Sequence, residues 1–259
     1  MIFCNLGSGS KGNCTYVQDD PAAAGLLIDQ GFSLINLLVR MEQVDLDPHQ
    51  VRAILLTHEH SDHLSGVGIF ARRFHIPVYI TTKALKKIPD KIIKNVKVIE
   101  FTSGDELEIS GMKVKTFHIP HDAADPIGVV ISGKNHRVGI ITDIGNEVQY
   151  LREYLKNLDL LFLESNHDVI MLDNGPYPLW LVKRIKSRVG HLSNEQAKTL
   201  FEQLSLNGKL RHLILGHLSE KNNDPKIVKK LFQKTAQKID PKVQLSIALQ
   251  NKAGPLIEL

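Results

Sequence analysis

The sequence predicts an α/β fold in which two sheets face each other with helices outside. Three observations point there. Short apolar, β-rich runs alternate with helix-length segments along the whole chain. These elements group into two successive halves with no linker or low-complexity stretch between them, which suits two packed sheets in one domain, residues 1–259. Several apolar runs also close on His, Asp or Glu, and that loads one sheet edge with polar groups.

Residues 2–6 and 14–18 read as strands joined by Gly7-Ser-Gly-Ser-Lys-Gly-Asn13. Glycines with small hydroxyls expose backbone N–H groups, so this loop is either an anion-binding nest or an ordinary hairpin turn. It lacks the Gly-Lys-Ser/Thr ending of a P-loop. Cys4 and Cys14, the only cysteines, flank it and read as small buried residues in a reducing compartment. Residues 25–31 form a strand closing on Asp29, which either supports a metal site or caps the next helix, 33–43. A buried strand over 51–57 and a helix over 64–74 follow. Then come a strand near 77–80, a lysine-rich helix to about Lys87, and strands near 96–101, 106–109 and 113–117.

Between the strand at 51–57 and the helix at 64–74 lies His58-x-His60-x-Asp62-His63. Strand-to-helix turns are where α/β proteins place their chemistry. Imidazole and carboxylate together suit zinc, manganese or iron. Four candidate ligands this close cannot all reach one ion at ideal angles, which hints at two metals.

Polar strand endings recur further on. His118 and His121 follow one strand; Val138-Gly-Ile-Ile-Thr-Asp143 is another; 158–164 ends in Glu164, and 210–217 in His217. Ser193 with Gln196 makes a capping box that opens a helix, and His191 sits on the loop before it. A helix over 225–238 and a strand over 243–247 close the chain. His167 and Asp168 read as a polar loop. His49, His75, His118, His136 and His212 fit no ligand pattern and are expected to be structural or exposed.

The net charge of +4 permits an anionic substrate without requiring one. Lysines concentrate in 83–97, 183–188 and 226–238, and the main reading is that they are solvated helix faces. A hydrophobic fraction of 42% with mean hydropathy of −0.10 describes an ordinary soluble protein. No apolar run approaches a membrane span, and the first residues do not resemble a signal peptide. A cytoplasmic protein without membrane partners is expected.

The run His58-x-His60-x-Asp62-His63, followed by His121, Asp143 and His217, resembles the metallo-β-lactamase fold superfamily along the whole chain. The resemblance implies a four-layer αββα sandwich with two mixed sheets and the metals at one edge. It implies that His58, His60 and His121 hold one metal, that Asp62, His63 and His217 hold the other, and that Asp143 bridges both. Gly7–Cys14, His121–Pro126, Glu164–Asp168 and Gly190–Asn194 are further similar to the YycJ (WalJ/VicX-like) branch. That branch implies a metal-dependent nuclease, with DNA favoured over RNA and 5′-to-3′ exonuclease action on double-stranded DNA proposed. The placement of Glu164 and His191 is similar to ribonuclease Z. Residues 144–216 are too few for the nucleic-acid-clasping insertion of the β-CASP nucleases, and no extended arm like that of ribonuclease Z is evident.

Two divalent ions, zinc or manganese with iron also fitting, would lower the pKa of a shared water toward about 7. In this reading Asp62 orients the nucleophile while binding one metal. His191 protonates the leaving oxygen or holds the phosphate, and Glu164 orients its ring; otherwise His191 is only a neighbour of the helix cap. The same metal core would also serve a hydrolase of small esters, thioesters or lactones, or a phosphodiesterase acting on something other than nucleic acid. A metal-binding regulatory module is a third reading, disfavoured by the full ligand set. Oligomeric state is not readable.

Overall fold

Alternation along the strands decides which layer each side chain enters. In β3 (Gly25–Ile28), Leu26 and Ile28 face one way and Leu27 the other. The same division holds in β11 (Leu160–Glu164) and β12 (His212–Gly216), where Phe162 and Ile214 are separated from Leu161, Leu163, Leu213 and Leu215. A strand apolar on both faces must be covered on both, so the chain builds three apolar layers. Phe3, Val17, Leu26 and Leu55 of the first half meet Val114, Val129, Phe162 and Ile214 of the second in the central layer. Each outer layer packs one sheet against helices.

The computed structural model describes residues 1–204 and 208–259. Each of its two sheets has seven strands. The first contains β1 (Ile2–Gly7), β2 (Cys14–Gln18), β3, β4 (Val51–Leu55), β5 (Val78–Thr81) and β6 (Val98–Phe101). The second contains β7 (Glu106–Ile109), β8 (Met112–His118), β9 (Ile127–Ser132), β10 (Arg137–Ile141), β11, β12 and β13 (Gln244–Ile247). The last strand, β14 (Ile257–Glu258), crosses back to pair with β1 in the first sheet. This is the αββα sandwich expected.

Strand direction positions the site. β3 and β4 run parallel, as do β10, β11 and β12. β8 reaches the same direction as β10 through two antiparallel pairings across β9. The segments that leave these strands at their C-terminal ends therefore emerge along one edge. Those segments carry Asp29, His58, His121, Asp143 and His217, and Glu164 is itself the last residue of β11.

Several details differ from the sequence reading. The helix expected over 64–74 is two helices, Ser61–Leu64 and Val67–Phe74. The break falls at Gly66, whose N–H is taken by the Gln30 carbonyl instead of the preceding turn, and where the Phe32 carbonyl, 1.9 Å from a would-be Cβ, leaves room only for glycine. Strand β13 does not close the chain, since β14 follows it. Strand β9 and the helices Val169–Asp173 and Leu179–Ile185 were not singled out from sequence. Cys4 and Cys14 are free and buried, as expected. The capping box of Ser193 and Gln196 opens helix Asn194–Glu202 as read.

Candidate metal centre

His58 and His60 sit on the turn after β4, and Asp62 and His63 on the short helix that follows. Three side-chain groups close up at the sheet edge: His58 with His60 and His121; Asp62 with His63, Asp143 and His217; and Asp143 with Glu164, His191 and His217. Within each, the potential ligand atoms lie within 4.8 Å of one another. The structure thus brings together every residue read from the sequence as a candidate metal ligand or catalytic group.

The imidazoles are aimed by their second nitrogen. His63 Nδ1 donates to Asp29 Oδ2 at 2.7 Å. His58 Nδ1 donates to the Thr57 hydroxyl at 3.0 Å, and that hydroxyl donates to Asp29 Oδ2 at 2.9 Å. His121 Nδ1 donates to the Gly190 carbonyl at 3.1 Å. His217 and His191 both donate Nδ1–H to Glu164 Oε1, each at 2.8 Å. In the neutral ring each of these bonds fixes a tautomer and leaves Nε2 as the atom free to take a ligand or a proton. Asp29, the aspartate closing the third strand, is therefore a support for His63 and not a helix cap. Ser33 caps that helix instead.

Two observations test whether metals fit. His58 Nε2, His217 Nε2 and Asp143 Oδ2 are buried with no hydrogen-bond partner, although buried polar atoms are normally satisfied. His121 Nε2 and His60 Nδ1 face each other at 3.3 Å, close to the edge of a tetrahedron built on metal–nitrogen bonds of about 2.0–2.1 Å. The donor sets fit divalent metals. The third group fits less well, because Glu164 spends its oxygens on four donors: both histidines and the Ile144 and Leu192 amides.

Asp143 joins the first two sets. Its Oδ2 lies 3.1 Å from His63 Nε2, and its Oδ1 lies 3.8 Å from His121 Nε2. Asp29, Asp143 and His217 also share an unusual backbone, with φ of 60°, 59° and 55°. This left-handed region is costly for residues other than glycine, less so for Asp, and it clusters at functional sites.

Charge is distributed unevenly. Burial pushes His58 and His121 below the usual imidazole range, outweighing the pull of Asp143. Burial pushes His217 the same way, but Asp143, Asp62 and Glu164 overcome it and raise that ring to about 10. Burial favours the neutral forms of Asp62 and Asp143, yet His63 and His217 hold both well below the usual carboxylate range. Glu164 is fully buried; burial alone would raise it, and the His191 and His217 rings bring it down to about 2.

The loop Gly7–Asn13 braces this edge. The Asn13 amide accepts from Ser8 Oγ and the Gly9 amide, which turns its Nδ2 toward Asp62 Oδ2 at 3.2 Å and His63 Nε2 at 3.0 Å. Ser8 Oγ in turn accepts from the His217 amide at 2.9 Å. Sequence reading marked the loop and missed Asn13, Ser8 and Thr57 as supports, because these contacts bridge distant segments. A cleft of about 250 Å³ opens over the centre, lined by Asp62, Asp143, His191 and His217 and by Tyr177 and Arg184. Asp168 caps helix Val169–Asp173, and His167 is buried, where desolvation lowers it to about 4. Neither joins the three groups.

This fold and edge site define the metallo-β-lactamase class, and comparison agrees: residues 25–218 match the family described as Beta-lactamase superfamily domain, and the chain belongs to it. It is 36% identical over 226 residues to Exodeoxyribonuclease YycJ of Bacillus anthracis, across 86% of this chain and 84% of that one. It is 32% identical over 223 residues to Exodeoxyribonuclease WalJ of Streptococcus pneumoniae, across 84% and 81%. These likenesses put it in the YycJ branch of the superfamily. Among solved structures, the metallo-β-lactamase fold protein YhfI of Bacillus subtilis superposes with a TM-score of 0.73 at 17% identity, covering 98% of both chains. That likeness concerns the fold alone. No helix among the described residues is long and apolar enough to cross a membrane.

Proposed function

We propose that this chain works as one domain that hydrolyses phosphodiester bonds in DNA, as a metal-dependent exonuclease acting 5′ to 3′ on double strands. The observation that carries the reading is the closeness of two donor sets, linked across Asp143 by its distances to His63 and His121, beneath one cleft. The exodeoxyribonuclease names of its relatives in two bacteria support the choice of DNA. His58, His60 and His121 would hold one zinc or manganese ion, and Asp62, His63 and His217 a second, with Asp143 serving both; when bound, the ions would supply Lewis acidity at the phosphate and a nucleophile at neutral pH.

The remaining work falls to the protein's own groups. Asp62 keeps its side chain partly open to the cleft, where a carboxylate orients an attacking water. His191 gives Nδ1–H to Glu164, so its Nε2 is the atom available to the cleft. Protonated there, it holds the phosphate or delivers a proton to the departing oxygen. Glu164 does not reach the cleft; it positions the rings of His191 and His217 together.

The test is hydrolysis by metal-loaded protein of 5′-phosphorylated duplex DNA, single-stranded DNA, RNA, bis(p-nitrophenyl) phosphate and a thioester panel. Processive release of nucleotides from the 5′ ends of duplexes, abolished by chelation, is expected. Thioester hydrolysis with intact nucleic acid would replace this reading by that of a small-molecule hydrolase.

A further inference from the structure

We infer that helix Leu179–Ile185 is a nucleic-acid lip, on which Trp180 stacks a terminal base of the strand entering the cleft. This rests on the nuclease reading above and adds where the substrate is gripped.

The helix forms one wall of the cleft through Leu181, Arg184 and Ile185. Trp180 lies four residues before the cleft-lining Arg184 and next to the cleft-lining Leu181, so it shares a helix face with Arg184. It is 67% exposed, beside Leu179 at 78%. Leu179 and Trp180 thus expose a contiguous apolar pair beside the cleft wall, and exposed apolar surface rimmed by polar residues marks interaction sites. Trp180 is the only tryptophan of the chain.

Charge selects the partner. Lys183, Arg184, Lys186 and Arg188 lie on the same short segment, and Lys183 and Arg188 are exposed. Arg184 is anchored by donating Nε–H to Asp122 Oδ2 at 2.6 Å, next to His121. Lys186 ties the helix to Asp173 of helix Val169–Asp173. The lip is therefore held in place beside the metal sets. Aromatic side chains interleaved with cations bind strands without sequence preference: bases stack, and cations follow the phosphates.

The single tryptophan gives a direct readout. Adding a phosphorothioate-linked, 5′-phosphorylated DNA duplex to metal-loaded protein should quench its fluorescence, less so at high salt. Trp180→Ala should raise KM for cleavable DNA by about ten-fold with kcat nearly unchanged. Trp180→Phe should recover most of the loss, and bis(p-nitrophenyl) phosphate, too small to span centre and lip, should be hydrolysed at the wild-type rate. DNA cleavage with unchanged KM in Trp180→Ala overturns the lip while leaving the nuclease reading intact. Fluorescence that shifts with protein concentration and ignores DNA assigns the face to a second copy of the chain and also overturns it. Wild-type protein that cleaves no nucleic acid overturns the nuclease reading, and the lip falls with it.

Discussion

The two donor sets at the sheet edge are built differently. The set of His58, His60 and His121 is all imidazole, and its rings are steadied by neutral acceptors, the Thr57 hydroxyl and the Gly190 carbonyl. The set of Asp62, His63, Asp143 and His217 carries its own negative charge, and its rings are steadied by the carboxylates of Asp29 and Glu164. A carboxylate behind a histidine raises its basicity and fixes its ring, and losing one typically costs about 10–100-fold in affinity. The contrast predicts that two like ions would be held with unequal strength, both through the carboxylates of the second set and through what stands behind the rings. The second set should bind first and release last.

The strongest perturbation of that contrast removes what the sets share. Asp143→Asn should reduce hydrolysis to background and lower metal content, measured by elemental analysis beside circular dichroism. A folded variant with activity within a few-fold of wild type would remove Asp143 from the centre. Next, His191→Ala should lower kcat on DNA by about 10²–10⁴-fold with both metals retained. The deficit should shrink on p-nitrophenyl esters, whose leaving group needs little protonation. Equal deficits on both substrates would mean that His191 only maintains the shape of the loop.

Asp29→Asn tests the contrast itself. Affinity at the second set should fall by about 10–100-fold, read by competition with a graded chelator. In wild-type protein the same titration should release metal in two steps, and anomalous scattering after the first should show density only beside His63 and His217. Simultaneous release would show that the two sets are equivalent. The smallest effect is expected from Ser193→Ala. Loss of the cap costs about 1 kcal/mol, or about 2–4 °C in melting temperature for a chain of this size. Metal content should be unchanged, since Ser193 belongs to none of the donor groups.

His58 to His63 were readable because a single turn gathers them within six positions. Asp143, Glu164 and His217 were readable as polar endings on apolar strands, since parallel strands bring such endings to one edge. The supports were not. Asn13, Ser8 and Thr57 act on residues brought close by pairings between distant segments, which no local pattern announces. Strand β9 has a β-branched run, Ile127, Val129, Val130 and Ile131, that the reading passed over beside the ligand motifs. Helix Leu179–Ile185 was hidden because its first residues are apolar yet exposed, so it lacks the usual one-sided pattern. Arg184 was taken with its neighbours for a solvated face, yet it lines the cleft.

The left-handed backbone of Asp29, Asp143 and His217 imposes two filters on any substitution there. One is chemical: a side chain must offer the right oxygen or nitrogen. The other is conformational: it must tolerate positive φ, which glycine and asparagine do most readily and β-branched residues do not. A saturation library at these three positions should therefore sort into three populations and not two. Valine and isoleucine should drop out of the soluble fraction, glycine and asparagine should survive as well-folded proteins with metal binding weakened at Asp29 and lost at Asp143 and His217, and only the native residues should pass both filters in full. Of the substitutions available at the two aspartates, asparagine is thus the informative one, since it alters the ligand and leaves the turn undisturbed.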